Sequence, residues 1–375
     1  MCDVKKLRKW IADGNRIVLF GAGQNGYTFY KILKLLEISI ECVVDNNEQK
    51  WGRKVYEDEV VCCSPIILSG REEYLTYICI SPQYYSEIYE QAIQLNVLHI
   101  GNIYNVIKDV IKNYKDLYFQ LLLELPYGKC WEFFYDNKNY LSVGETLYRN
   151  HHNDRIAVYT SVFGTYDNLF EPQSFADNID YYFVSEEKPF ELKKYMWLDA
   201  KSFLPKEIEN PIEKNRYIKM HPHILFPQYQ YSIYVDGNVE VLQDLSAFIQ
   251  KSKTGISVFR HPYRDDIYLE ALAVVNASRA KAKAVKIQME KYICEGFPEA
   301  YGLVEMRIIA REHNNPVCIS VMEAWWEEFR ATDTKRDQLS FMYTMWKQGM
   351  GLEDLFLLGN NMRKFEYIKV HDHAK

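Results

Sequence analysis

The order of strand-like and helical segments constrains the fold of this chain more than any other feature of its sequence. Residues 16–23, RIVLFGAG, form a buried-strand pattern that ends in glycines, and a helical stretch follows at 24–36. Further strand patterns lie at 40–45, 77–81 and 97–103, with a helical segment at 84–95 before the last of them. Strands that alternate with helices are connected by right-handed crossovers and form a parallel sheet. Residues 1–110 are therefore predicted to form a Rossmann-like α/β domain.

A second alternation of strands and helices begins at Arg155. Before it, residues 111–152 turn helical and then polar, which is typical of a linker. Strand patterns recur at 180–186, 231–235, 256–261 and 303–313, and helical patterns lie near 212–221, 267–295 and 319–348. At 375 residues the chain is too long for one ordinary domain. We therefore expect a second α/β domain over residues 153–375.

Three glycines follow the first predicted strand in the spacing of the dinucleotide-binding fingerprint. Gly21, Gly23 and Gly26 give G-x-G-x-x-G between a strand and a helix, and Asp45 closes the second strand. Such a turn lets a phosphate approach the backbone at a helix N-terminus, and the acid bonds a ribose hydroxyl. The pattern GAGQNG, then VVDNNEQKWG, also resembles small Rossmann-like domains at the front of bacterial sugar-modifying and capsule-assembly proteins. Such domains bind a nucleotide or serve only as scaffold, and the sequence leaves both roles open.

Net charge and cysteine content indicate what kind of partner and which redox compartment to expect. The net charge of −6 and the pI of about 5.9 weigh against a nucleic-acid partner. The eight cysteines form no C-x-x-C pair, as expected for reduced, packed thiols of a cytoplasmic protein. No signal peptide and no membrane-spanning apolar run is recognised, so a soluble protein is expected. A lysine cluster at 281–291 is typical of a solvated helix face, although it could touch an anionic membrane surface or an acidic polysaccharide. Peripheral association with membrane assembly machinery stays open.

The segment YSIYVDGNVEVL, residues 231–242, carries the clearest candidate for a metal site. Asp236 and Asn238 place two oxygen-bearing side chains one residue apart at a predicted strand end. Oxygen ligands of this kind suit Mn²⁺ or Mg²⁺, which neutralises a nucleotide diphosphate. The alternative interpretation is an ordinary β-hairpin, because Asp-Gly between two strands is among the strongest hairpin signals.

Further polar residues cluster at predicted strand and helix ends. Arg216 and Lys219 lie three residues apart, hence on one helical face, and two cations suit an anionic pyrophosphate. The candidate substrate-binding residues are Thr160, Asp167, Arg216, Lys219, His223, Arg264, His313 and Gln338, and the candidate catalytic residues are His261 and Asp337. Each also has a purely structural interpretation: a strand-to-loop passage, a solvated helix end, a packed histidine, or an acid that compensates a helix dipole.

The ordered motifs YVDGN, FRHPYRD, REH and RDQLSF, within residues 155–350, resemble a glycosyltransferase-like family first catalogued as a domain of unknown function. Its members occur in plant mucilage synthesis and in bacterial capsule or surface-polysaccharide loci. The resemblance implies a GT-A type fold, a nucleotide-sugar donor and Mn²⁺ or Mg²⁺. Asp236 and Asn238 match the family's metal and diphosphate motif, and His261 and Arg264 match its arginine-histidine-proline stretch. Asp337 and Gln338 match its acidic helix start. Because Asn238 replaces an acid, weaker metal binding or dependence on the donor phosphates is expected.

The expected reaction is transfer of a sugar from a nucleoside-diphosphate sugar to a glycan hydroxyl. Asp337 would grip donor hydroxyls or, in an inverting mechanism, deprotonate the acceptor, and Trp325 with Trp326 would stack on the acceptor or pack in the core. A plant relative described as a ceramidase leaves open an amide or ester hydrolase with a metal-bound water held by Asp236 and His261. The sequence is also compatible with an NAD-linked sugar-modifying enzyme that uses the N-terminal domain, and with a catalytically inactive polysaccharide-binding module.

Overall fold

The computed structural model describes residues 3–124, 154–164, 169–174 and 176–372. The chain separates into two compact units, one formed by residues 1–137 with 268–294 and the other by residues 138–267 with 295–375. The grouping of residues 268–294 with the first unit was not expected from the sequence. The predicted division at residues 110 and 152 stays a prediction, because much of the segment 111–152 lies outside the described residues.

The first unit contains a six-stranded sheet in the order β3-β4-β2-β1-β5-β6. All pairings are parallel except that of β3 with β4. The strands are β1 (Arg16–Phe20), β2 (Cys42–Val44), β3 (Lys54–Val55), β4 (Val60–Cys63), β5 (Tyr74–Ile78) and β6 (His99–Gly101). The helices are α1 (Val4–Ala12), α2 (Gln24–Leu35), α3 (Pro82–Gln94), α4 (Ile103–Asn113), α5 (Lys115–Glu124), and, from the later segment, α8 (Ile267–Asn276) and α9 (Ala282–Glu295). This confirms the predicted parallel α/β arrangement.

The second unit contains a seven-stranded sheet in the order β14-β12-β13-β10-β7-β8-β9. The strands β10, β7, β8 and β9 are parallel to one another, whereas β13 runs antiparallel between β10 and β12. The strands are β7 (Ile156–Ser161), β8 (Ile179–Ser185), β9 (Met196–Asp199), β10 (Tyr231–Val235), β12 (Ile256–Arg260), β13 (Val304–Arg311) and β14 (Phe356–Leu357). Their inward faces form an apolar core that includes Val158, Ile233, Val235 and Ile308.

The described helices of this unit include two that the sequence predicted as one continuous segment. They are α6 (Pro211–Met220), α7 (Pro222–Leu225), α10 (Pro316–Ala331) and α11 (Phe341–Lys347). Asn210 accepts the N–H groups of Ile212 and Glu213, and Pro211 follows it in the first turn, so α6 begins there. The predicted helical segment 319–348 is interrupted by the 3-10 turn Asp337–Leu339. No helix among the described residues is both long and apolar enough to cross a bilayer.

The turn Asp236-Gly237-Asn238 does not close a hairpin. The strand that follows it, β11 (Val239–Val241), pairs with β15 (Ile368–Val370) in a separate two-stranded sheet and not with β10. The turn is closed by the N–H of Val239, which donates to the carbonyl of Asp236 over 2.9 Å. The hairpin interpretation is therefore wrong, and Asp236 lies where the chain passes from one sheet to another.

Candidate functional site

Two carboxylates and two cations converge at the carboxyl edge of the parallel strands β7 and β10. Lys219 Nζ lies 2.8 Å from Asp337 Oδ2 and 3.7 Å from Asp236 Oδ1. Arg216 Nε lies 2.9 Å from the same oxygen of Asp337. The side chain of Lys219 is 2% exposed and that of Asp236 is 22% exposed, so Asp236 is the member open to a ligand. The structure thus brings together four of the residues singled out in the sequence, which we call the carboxylate–cation cluster.

The elements that carry the cluster explain its geometry. Asp236 follows β10, and Arg216 and Lys219 lie on one face of α6, which packs against β7 through the hydroxyl of Tyr159. Asp337 opens the 3-10 turn that contacts β13. Because β7 and β10 are parallel, their carboxyl ends meet at one edge of the sheet, where ligands of α/β folds bind.

The electrostatics of the cluster keep Asp337 ionised. Burial alone would raise the pKa of Asp337, but the charges of Arg216, Lys219 and Arg336 hold it well below its usual range. For Arg216, burial opposes protonation, but the charge of Asp337 raises its pKa above the usual value. Burial and then the charge of Asp236 likewise raise the pKa of Tyr234. Asp337 is therefore a poor proton acceptor near neutral pH.

Several residues that contact the cluster were missed by the sequence reasoning. Asn215 donates its amide N–H to the carbonyl of Ser161 over 2.9 Å and to its hydroxyl over 3.0 Å, and Arg216 donates to Asn215. The Lys219 ammonium lies 5.1 Å from the ring centre of Tyr234. The available signal was the helical spacing, because Asn215 and Lys219 are four residues apart and share a face.

Asn238 offers an oxygen that is suited to a cation. It is 2% exposed, and its amide N–H donates to the carbonyl of His371 over 2.8 Å. Its Oδ1 has no hydrogen-bond partner among the residues that the structure describes, although a buried acceptor normally has one. No group of three His, Cys, Asp or Glu suited to a metal ion occurs in the described part of the chain. A cation here would thus need oxygens from a ligand or water beside Asp236 and Asn238.

Histidine 261 does not share a site with Asp236. Its Nδ1 accepts the backbone N–H groups of Tyr263 and Arg264 over 3.3 and 3.1 Å, and its Nε2 lies 3.3 Å from Arg264 Nη2. The backbone N–H of His261 donates to the carbonyl of Leu303, whereas the backbone N–H of Asp236 donates to the carbonyl of Arg307, four residues further along the chain in β13. This separates them by about 13 Å along the strand. This spacing does not support the alternative of a metal-bound water held by both residues, and His261 with Arg264 shapes the turn after β12.

Thr160 and His313 also lie away from the cluster. Tyr159 and Ser161 both contact α6, so Thr160, between them on β7, points to the opposite face, where its Oγ1 has no partner within the described ranges. His313 follows β13 and lies at the amino end of β10, opposite to the end that carries Asp236. Its Nε2 is 3.0 Å from the carbonyl of Phe226, and burial lowers its pKa to about 4. A role of either side chain in this cluster is not supported.

The remaining predicted residues have structural contacts. His223 Nε2 lies 3.0 Å from Glu323 Oε1, and burial lowers the pKa of His223. Gln338 donates its amide N–H to the carbonyl of Val304. Asp167 lies outside the described residues. Trp325 and Trp326 are both buried, whereas core packing of only one of them was expected, and Trp325 donates its indole N–H to the carbonyl of Asp337.

The glycine turn of the first unit has the predicted strand–turn–helix setting. Gly21 has φ of +119°, and a Cβ there would lie 2.7 Å from the carbonyl oxygen of Cys79. A Cβ at Gly26 would lie 2.0 Å from the hydroxyl of Tyr56, whereas one at Gly23 would meet nothing within 4 Å. Asp45 Oδ2 accepts the N–H of Ala22 over 2.8 Å. The turn therefore has the conformation of the fingerprint, while Asp45 bonds the protein itself.

Two family models and one curated protein match parts of the chain. Residues 136–369 match the family model described as TOD1/MUCI70, glycosyltransferase-like domain, and residues 14–100 match the model C2185-like, N-terminal. Over 214 residues the chain is 27% identical to the probable hexosyltransferase MUCI70 of Arabidopsis thaliana. This match covers 50% of the chain and 36% of the plant protein, so the chain spans only about a third of that relative.

Two solved structures are similar over parts of the chain. Mouse xyloside xylosyltransferase 1 in its apo form has 10% identity and a TM-score of 0.32, covering 54% of this chain and 84% of that one. The apo structure of the bifunctional glycosyltransferase WbbM has 13% identity and a TM-score of 0.34, covering 73% and 52%. TM-scores of this size do not establish a shared fold. The family match covers more than half of the chain and includes every member of the cluster.

Proposed function

The chain belongs to the TOD1/MUCI70 glycosyltransferase-like family over residues 136–369, and from this premise we propose that it transfers a sugar from a nucleoside-diphosphate sugar to a glycan hydroxyl. The observation that carries the proposal is the carboxylate–cation cluster at the carboxyl edge of β7 and β10. The cluster places ionised and hydrogen-bonding groups where α/β folds bind nucleotides. Capsule or surface-polysaccharide synthesis in the cytoplasm is the proposed setting, in line with the motifs of the sequence.

The charge balance of the cluster supports assistance by Mn²⁺ or Mg²⁺. Arg216 and Lys219 balance the carboxylates of Asp236 and Asp337, so Arg336, which also acts on Asp337, leaves only one surplus positive charge for a diphosphate. Asp236, which is partly exposed, and Asn238, whose Oδ1 is unsatisfied in the described structure, are the residues that would hold the ion. When bound, the ion supplies Lewis-acid stabilisation of the departing diphosphate.

The protein's own residues supply position and charge. The Lys219 ammonium contacts both Asp236 and Asp337, so it holds the two carboxylates in place. Arg216 is 18% exposed and supplies positive charge beside the donor. Because Asp337 contacts both cations and is a poor proton acceptor, we assign it to the grip on the donor side and not to deprotonation of the acceptor.

Release of the nucleoside diphosphate from a panel of UDP- and GDP-sugars tests this proposal. We expect release to need Mn²⁺ or Mg²⁺ and to fall by about a hundredfold or more in Asp236→Ala. Asp177→Ala, which changes an aspartate of the same unit outside the cluster, is the matched control and should behave as wild type. Turnover that survives both chelation and Asp236→Ala would contradict the proposal. Cleavage of amide or ester substrates, with no response to any nucleotide sugar, would replace it with a hydrolase.

A further inference from the structure

The carboxylate of Asp45 accepts hydrogen bonds from the glycine turn of the first unit and from residues beside it. Asp45 Oδ2 accepts the N–H of Ala22 over 2.8 Å and lies 2.9 Å from the Lys50 ammonium. Its Oδ1 accepts the N–H of Asn47 over 2.9 Å. Burial would raise the pKa of Asp45, but these N–H donors and Lys50 lower it below the usual range, so the carboxylate is charged. Three donors that a bound nucleotide would otherwise compete for are therefore already satisfied.

Side chains of the same unit also form hydrogen bonds at the glycine turn and beside it. The hydroxyl of Tyr56 donates to the carbonyl of Gly21 over 2.8 Å and fills the space that the missing side chain of Gly26 leaves. On the other side, Asn46 and Gln91 exchange two amide hydrogen bonds of 2.8 and 2.9 Å. This pair ties the segment after β2 to α3, which follows β5. In the strand order β1 lies between β2 and β5, so the pair connects the segments that flank β1.

We propose that Asp45 substitutes internally for a ligand anion at the glycine turn, so that the first unit is a self-capped module that does not bind a dinucleotide. A ribose hydroxyl would have to displace Lys50 or a backbone N–H from Asp45, and charge-assisted bonds of this kind are the strong ones. The space beside Gly23 is open, but the acid that should recognise the ribose is engaged. An NAD-linked enzyme would lose its cofactor site, and a scaffold role is favoured for Gly21, Gly23, Gly26 and Asp45.

The role of Asp45 predicts rescue by an external anion. In Asp45→Ala, the N–H groups of Ala22 and Asn47 and the Lys50 ammonium lose their partner, so these amides should exchange hydrogen at least several-fold faster than in wild type. Inorganic phosphate at millimolar concentration should restore their protection and raise the midpoint of thermal unfolding, compared with chloride at equal ionic strength. Asp13→Ala, an exposed aspartate of the same unit, should show neither effect. If Asp45→Ala does not fold, Asp45→Asn, which keeps the shape without the charge, is used in the same way.

Hydrogen–deuterium exchange resolved at the turn tests both parts of the proposal on the full chain. Wild type is measured with NAD⁺, NADH or NADP⁺ at millimolar concentration. EDTA is present throughout, because it suppresses metal-dependent nucleotide binding at the second unit. We expect no change at Ala22, Asn47 and their neighbours. Saturable protection of these amides by a dinucleotide would overturn the proposal. Equal exchange of Asp45→Ala with and without phosphate would also overturn it, because no anion site would then have been vacated.

Discussion

Removal of the Lys219 ammonium tests whether the carboxylate–cation cluster is one electrostatic unit. Lys219→Met keeps most of the stem but leaves Asp337 Oδ2 without the cation at 2.8 Å. Loss of one partner from a buried pair costs about 3–5 kcal/mol. Because Arg216 Nε remains 2.9 Å from the same oxygen, we expect the lower part of this range, about 3 kcal/mol. For a unit of this size, the melting temperature should then fall by about 6–12 °C.

A double-mutant cycle with Asp337→Asn measures the coupling directly. Asp337→Asn leaves Lys219 and Arg216 as buried cations with fewer partners, so it should also destabilise. In the double variant neither charge of the pair remains, and the loss in unfolding free energy should be at least about 1 kcal/mol smaller than the two single losses together. Urea unfolding followed by tryptophan fluorescence provides these values, because Trp325 is buried against Asp337.

The control for this cycle is Lys188→Met, which removes an exposed ammonium from the same unit. Its unfolding free energy should change by less than about 0.5 kcal/mol. Additive effects of Lys219→Met and Asp337→Asn, within about 0.5 kcal/mol, would refute the reasoning. The two residues would then stabilise the unit independently, and the contact between them would not organise the site.

Two further predictions concern the glycine turn and a buried histidine. Gly26→Ala should destabilise the first unit by more than about 2 kcal/mol in chemical unfolding, since its Cβ would lie 2.0 Å from the Tyr56 hydroxyl. Gly23→Ala should change the unfolding free energy by less than about 0.5 kcal/mol, because a Cβ there meets nothing within 4 Å. Equal effects of the two substitutions would contradict the packing at Gly26. His313 has its pKa lowered to about 4 by burial, so the unfolded chain binds more protons below pH 6.5, and stability should fall by as much as about 3 kcal/mol between pH 6.5 and pH 4. In His313→Gln this slope should flatten, and an unchanged slope would show that other groups cause it.

The fold and part of the site were accessible from sequence because their signals are local or periodic. Strand runs such as 231–235 and helices such as α6 lie within a few residues of their predicted positions. Arg216 and Lys219 could be paired because helical spacing places residues three apart on one face. Their association with Asp236 and Asp337 was expected from the family motifs, whereas the shared edge of β7 and β10 is known only from the structure.

The errors arose where structure depends on partners distant in the chain. The turn at Asp236 has a strong hairpin signal, but β11 pairs with β15, more than a hundred residues later. His313 lies near Arg311 just past a strand, a pattern typical of a site residue. Because β13 is antiparallel to β10, His313 lies at the end of β10 opposite to Asp236. Asp45 fits the fingerprint of a ribose ligand, and only its contacts with Ala22 and Lys50 reveal that it is engaged.

Binding of Mn²⁺, followed by the electron paramagnetic resonance signal of the free ion, tests most directly whether Asp236 serves a nucleotide diphosphate. In wild type we predict that UDP or GDP lowers the signal of free Mn²⁺ saturably, because the protein and the diphosphate hold the ion together. In Asp236→Ala the signal should remain at the level set by the nucleotide alone, while Asp177→Ala retains the wild-type response. Equal uptake of Mn²⁺ by wild type and Asp236→Ala in the presence of nucleotide would contradict the account.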